Sequence, residues 1–118
     1  MKRQVQVYIE DILESIAKIE EYTQTVTKDD FLENTQVQDA VLRRLEIIGE
    51  AVKNIPSEFR NKYPDIRWKN IAGMRDVLIH EYFGVNIDRA WKVVREDIFD
   101  LRKKILRVKK ALEDESDE

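Results

Sequence analysis

The chain has no cysteine, two prolines, three glycines and one histidine in 118 residues. Without cysteine, neither a disulfide framework nor a thiolate metal site can form, and nothing calls for an oxidising compartment. Glycines scattered at positions 49, 73 and 84 cannot build a phosphate-cradling loop. No apolar run approaches the roughly 18 residues of a membrane span. Met1-Lys2-Arg3 leads into polar, amphipathic sequence and not into a signal-peptide core. These absences predict a soluble, cytoplasmic protein with no membrane association, and no cofactor or metal is called for.

What is present suffices for one self-supporting domain, since 42% of the residues are hydrophobic. The formal charge of −3 is unevenly spread. Residues 113–118 carry five acids, which leaves 21 basic against 19 acidic groups in residues 1–112. The expected division is therefore a helical domain over 1–112 and a disordered acidic tail over 113–118. A basic run from Arg102 to Lys110 precedes the tail and reads first as a solvated helix face.

Apolar periodicity assigns the elements. Val5, Ile9, Ile12, Ile16, Ile19, Thr23 and Val26 alternate four and three apart, which predicts a helix over about 5–26, with Leu13 widening its stripe. Thr27 and Asp30 predict a capped turn of helix near 29–33. Thr35 and Gln38 match a capping box opening a helix to about Asn54, where Pro56 ends it. Gly49 costs that helix about 1 kcal/mol relative to alanine, and close approach of another backbone would explain it. Pro56 and Pro64 bracket the most broken stretch, where Phe59 and Tyr63 are expected to fold back on the core. A third helix is expected over about 68–82, burying Ile71 and Leu78, with Gly84 as a stop. Asn86 then caps a long final helix with the stripe Ile87, Trp91, Val94, Ile98, Leu101, Ile105, Val108 and Leu112. Val93, Phe99 and Leu106 fall off that stripe and suggest a subunit interface. With no strand pattern, the fold class is all-α: an up-and-down bundle of four main helices plus short helical turns.

One stretch concentrates the chemistry: Arg75-Asp76-Val77-Leu78-Ile79-His80-Glu81-Tyr82. Arginine is a permanent cation matched to phosphate, histidine moves protons near neutrality, and tyrosine can accept a transferred group. Residues 57–75 lead into it with Arg60, Lys62, Arg67, Lys69 and Arg75 against Glu58 and Asp65, a basic segment suited to RNA. Trp68 and Tyr63 offer stacking surfaces for bases, although a buried anchor is the stronger reading of Trp68. At about 100° per residue, Arg75 and Tyr82 lie about 20° apart on a helix, but His80 lies about 140° from Arg75. Arg75 and His80 meet only if the helix ends or distorts near His80, or if a second chain supplies one of them. From the residues alone, a module that binds nucleotide without cleaving it and a helical subunit that pairs through its last helix remain open.

The stretch resembles the motif of HEPN domains, and its form Arg-x4-His-x-Tyr is similar to that of HepT-type toxins. Arg43-Arg44-Leu45-Glu46-Ile47-Ile48-Gly49-Glu50-Ala51 and Trp68-Lys69-Asn70-Ile71-Ala72-Gly73-Met74 resemble the same family in the same order. The resemblance implies a HEPN-like helical bundle, commonly dimeric, that cleaves RNA without a metal. It also implies a cognate MNT-type nucleotidyltransferase antitoxin that attaches AMP to the motif tyrosine. On this basis Arg75 and His80 are the expected catalytic pair and Asp76 a supporting residue. Tyr82 is the expected site of AMP attachment, and Arg60, Lys62, Arg67 and Lys69 are candidate RNA contacts. A homodimer would supply the second histidine that base-and-acid cleavage profits from.

Overall fold

The computed structural model describes residues 2–83 and 87–116, apart from the side chains at 2, 75, 77–83, 87 and 116. Within these limits the apolar stripes become the buried faces of helices. Helix α1 (Lys2–Thr23) buries Val5, Ile9, Ile12, Ile16 and Ile19 along one line, each side chain contributing about 1.5–3 kcal/mol. It stops at Thr23, whose hydroxyl donates to the Ile19 carbonyl at 2.8 Å. Val26, expected as its last turn, packs on the core from the following connection. Helix α2 (Lys28–Glu33) carries the expected reciprocal cap between Thr27 and Asp30.

Helix α3 (Thr35–Asn54) starts where expected, but its cap is different. Asn34 Oδ1 accepts from the Val37 amide at 3.1 Å, while Gln38 is buried and donates to the Phe31 carbonyl at 2.7 Å. The Thr35–Gln38 box is absent because Asn34 already serves the first turn, and Gln38 instead adds a second donor to the Phe31 carbonyl, which also accepts from the Asn34 amide at 3.4 Å. A short α4 (Ser57–Arg60) follows Pro56, with the Phe59 and Tyr63 rings 5.4 Å apart and packed against the core. Helix α5 (Trp68–Phe83) carries the Arg75–Tyr82 stretch. The expected stop at Gly84 and cap at Asn86 lie outside the described residues, as does the Leu78 side chain.

The final helix is not uniform. Helix α6 (Ile87–Lys92) passes through a π-helical segment at Val93–Asp97 into α7 (Ile98–Ser116), and the Ile98 amide donates to the Val93 carbonyl five residues back. The extra residue shifts the register, so the neighbours Val93 and Val94 are both buried, the first beside Ala90 and the second continuing to Ile98 and Leu101. Val93 is thus a core residue and not part of a subunit interface, whereas Phe99 and Leu106 are exposed. Arg95, in the π segment, donates to the carbonyls of Thr23 and Val26 at 3.1 and 2.9 Å and covers the Trp91 ring. It thereby closes the C-terminal end of α1. Helix α7 continues through Glu113, Asp114 and Glu115 to Ser116, so these acids extend a helix where a disordered tail was expected.

The four main helices form the expected up-and-down bundle. Helix α1 lies between α3 and α7, and α5 packs on α3. Glu20–Arg102 and Glu10–Lys109 contacts at 3.6 and 3.0 Å set α1 and α7 antiparallel. Gly49 is explained by the α3–α5 crossing. A Cβ there would lie 3.0 Å from the Ala72 carbonyl oxygen, whereas a Cβ on Gly73 would meet nothing within 4 Å. Both glycines cost helix propensity, but Gly49 alone is required by packing. Gly73→Ala is therefore expected to stabilise the protein by about 1 kcal/mol, raising Tm by about 4 °C. Gly49→Ala is expected to lower Tm, because a backbone carbonyl cannot move aside cheaply. Thermal melts of the two variants compare the sites directly, and equal gains at both would contradict the crossing.

Candidate nucleic-acid site on the fifth helix

Helix α5 owes its start to Trp68. The indole is buried, and its N–H donates to the carbonyls of Arg60 and Tyr63, each at 3.1 Å. That indole staples the end of α4 to the first turn of α5 and gives Trp68 the anchoring role, with little of its ring left exposed. Arg60, Arg67 and Lys69 then converge on one hollow of about 490 Å³, shared with Ser57, Asn61 and Asn70. Lys62 does not line it and instead lies over the Phe59 ring at 5.7 Å. Three of the four candidate RNA contacts are thus brought together and one is not.

The broken stretch is fastened on its other side by α7. Arg107 pairs with the Asp65 carboxylate, and Lys104 Nζ donates to the Asp65 carbonyl at 3.1 Å. The Arg107 hydrogen bond holds the Asp65 carboxyl below its ordinary value. Burial, and behind it the carboxylate of Glu115, pushes the Tyr63 phenol up against the opposing pull of Arg107. Much of the basic run on α7 is likewise spent within the chain. Arg102 meets Glu20, Lys103 covers Phe99, Lys104 pairs with Asp100 at 3.1 Å and Lys109 with Glu10. Between α5 and α7 a second cleft of about 320 Å³ sets Arg67 and Lys104 against Asp97 and Asp100, a mixed lining less suited to an anion.

The side chains of Arg75, His80 and Tyr82 lie outside the described residues, but the backbone that carries them does not. Helix α5 runs unbroken through His80 to Phe83. The sequence allowed the helix to end near His80, and it does not. The separation of about 140° between positions 75 and 80 therefore stands within one chain. Asp76 is exposed and engaged by another group of the protein. Arg95, whose guanidinium seals α1, escaped the sequence reading because nothing in spacing or composition announces a π segment.

A family model described as "Ribonuclease HepT-like" matches residues 12–108. The chain belongs to the HepT-like ribonuclease family. A Thermococcus cleftensis protein named "Probable ribonuclease HepT" is 50% identical over 110 residues, covering 93% of this chain and all of that relative. A Methanocaldococcus jannaschii protein named "Gamma-glutamylcyclotransferase and putative RNase" is 52% identical over 113 residues, or 96% of this chain. The chain spans about half of that longer relative, 51%. No solved structure shows a significant match. Membership in the HepT-like family agrees with the HEPN resemblance and with the all-α bundle. Among the described residues, no helix is long and apolar enough to cross a membrane.

The Asp65–Arg107 tie makes a pH prediction. A carboxyl held low contributes stability above its ordinary value of 3.8, and this is lost as pH falls through the folded-state value. In an NMR titration the Asp65 midpoint should lie below 3.8 and return toward it in Arg107→Gln. A midpoint that the substitution leaves unchanged would mean that the pair does not form in solution.

Proposed function

We propose that this chain is the toxin of a toxin–antitoxin pair: a metal-independent RNA endonuclease silenced by a cognate MNT-type nucleotidyltransferase. The observation that carries the reading is the family match combined with Arg75, Asp76, His80 and Tyr82 on one continuous helix. In this reading His80 takes the proton of a ribose 2′-hydroxyl as general base. The 2′-oxygen forms the new bond to phosphorus while the bond to the 5′-oxygen breaks, leaving a 2′,3′-cyclic phosphate. The departing 5′-oxygen takes up a proton from His80 of a second copy or from solvent. Arg75 holds the phosphate and offsets the charge that builds on its oxygens. Asp76 supports His80, four residues on and on the same side of the helix.

Because α5 continues past His80, the pairing of Arg75 with His80 is assigned to a homodimer, each chain supplying one group to a shared groove. Silencing acts at Tyr82. The phenol oxygen attacks the α-phosphorus of ATP, the α–β anhydride bond breaks, pyrophosphate leaves and the phenolic proton is lost. The attached AMP puts negative charge and bulk about 20° in register from Arg75, where RNA phosphate would bind.

Two measurements test the reading. Total RNA incubated in excess chelator should be cleaved by the wild-type chain and not by His80→Ala, whose helicity and melting should match wild type. Loss of cleavage on chelation alone contradicts the metal-independent mechanism, and nucleotide binding without any cleavage points to a non-catalytic module. Co-expression with the nucleotidyltransferase should add AMP mass to wild type and none to Tyr82→Phe. Equal modification and silencing of Tyr82→Phe would remove Tyr82 from the scheme while leaving the nuclease intact.

A further inference from the structure

We infer that the hollow at the start of α5 is a phosphate subsite for single-stranded RNA, from which the strand runs along the open side of α5 toward His80. The inference rests on the ribonuclease reading and deepens it by stating where the substrate lies away from the cleaved bond. Four observations carry it. The hollow is lined by three cationic side chains, Arg60, Arg67 and Lys69, and by no acid. Of the two acids in the broken stretch, Asp65 is paired with Arg107, and Glu58 does not line the hollow. Arg60 Nε is buried and makes no hydrogen bond, and its terminal nitrogen reaches only the Ser57 hydroxyl, at 3.2 Å. The buried Nε is closed to an anion, but the terminal nitrogens keep donors beyond the one given to Ser57.

The fourth observation is the register of α5. Lys69, Gly73, Asp76 and the position of His80 fall within about 60° of one another around the helix. Lys69 and Asp76 are exposed, and the space beside Gly73 is empty to 4 Å. The line from Lys69 to His80 is thus open to solvent over its described part, while Trp68 and Ala72 face the bundle. Asp76 is the one acid between Lys69 and His80, and it is already engaged within the protein. Eleven residues of helix rise about 16 Å, the span of about five stacked nucleotides at ~3.4 Å each. A dinucleotide at the motif cannot reach the hollow, whereas an octamer can.

Binding of uncleavable 2′-O-methyl RNA tests this without relying on catalysis. By fluorescence anisotropy the wild-type chain should bind a single-stranded octamer more tightly than a dinucleotide. The double variant Arg67→Ala/Lys69→Ala, changed at two exposed positions, should bind the octamer roughly tenfold more weakly. Its dependence of log affinity on log salt should be flatter by about 1.4, for two lost phosphate contacts. The charge-conserving exchange Arg67→Lys/Lys69→Arg should keep most of the affinity, which separates lost charge from lost fold. The subsite is overturned if the double variant binds the octamer with wild-type affinity and salt slope. It is equally overturned if wild type binds octamer and dinucleotide alike. Cleavage of total RNA by wild type but not His80→Ala is scored separately, so the nuclease reading and the subsite fail independently.

Discussion

The approach of α3 to α5 at Gly49 is the constraint on which the arrangement of the candidate site depends. A hydrogen in place of a side chain lets the Ala72 carbonyl come within 3.0 Å of where a Cβ would sit. At that distance the two helices meet backbone to backbone, and the azimuth of α5 about its own axis is set before any motif residue is considered. The crossing turns Trp68 and Ala72 inward and leaves Lys69, Gly73 and Asp76 outward. The Trp68 indole bonds fix the helix along its length, because they tie its first turn to the end of α4. A helix held in both senses presents the same face in every molecule, which a preorganised site requires.

Fastening of the 61–67 stretch gives the basic hollow a similar rigidity. Asp65, which in the sequence subtracts from the charge of this stretch, is taken up by Arg107, and no acid lines the hollow that holds Arg60, Arg67 and Lys69. Exposed ion pairs of this kind add little stability. Their consequence here is positional: they decide which cations remain available. The basic run of α7 shows the converse, since its residues look more basic in the sequence yet are largely committed to Glu10, Glu20, Asp65 and Asp100.

Much of this architecture was legible in the sequence because it follows from spacing. The stripes of α1 and α7, the Thr27 cap, the anchoring of Trp68 and the close approach at Gly49 all follow from periodicity or from one residue with few possible roles. What escaped depends on contacts between residues distant in the chain or on a departure from a regular repeat. Gln38 matched a capping pattern, yet its amide goes to Phe31 across a helix junction. Val93 looked surplus because a constant 3.6-residue repeat was assumed, and one extra residue in the π segment brings it inside. The acids after Leu112 were read by composition as a disordered tail, although a preceding helix with a continuous apolar stripe carries them along. The motif itself was found from residue types, while its internal geometry turned on where α5 ends.

That geometry leads to the central claim. With α5 continuous to Phe83, positions 75 and 80 diverge within one chain, and the proposed chemistry needs both groups at one phosphate. Pairing of two chains would bring both groups to one phosphate, and the most direct measurement mixes two inactive proteins. Arg75→Ala and His80→Ala chains, unfolded together, refolded and checked for mixed pairs by native mass spectrometry, are assayed on the same RNA. If each site takes one group from each chain, mixing should restore cleavage well above either parent, up to roughly a quarter of wild type in a random mixture of symmetric pairs. Mixed pairs that form and stay as inactive as their parents would contradict a site shared between chains.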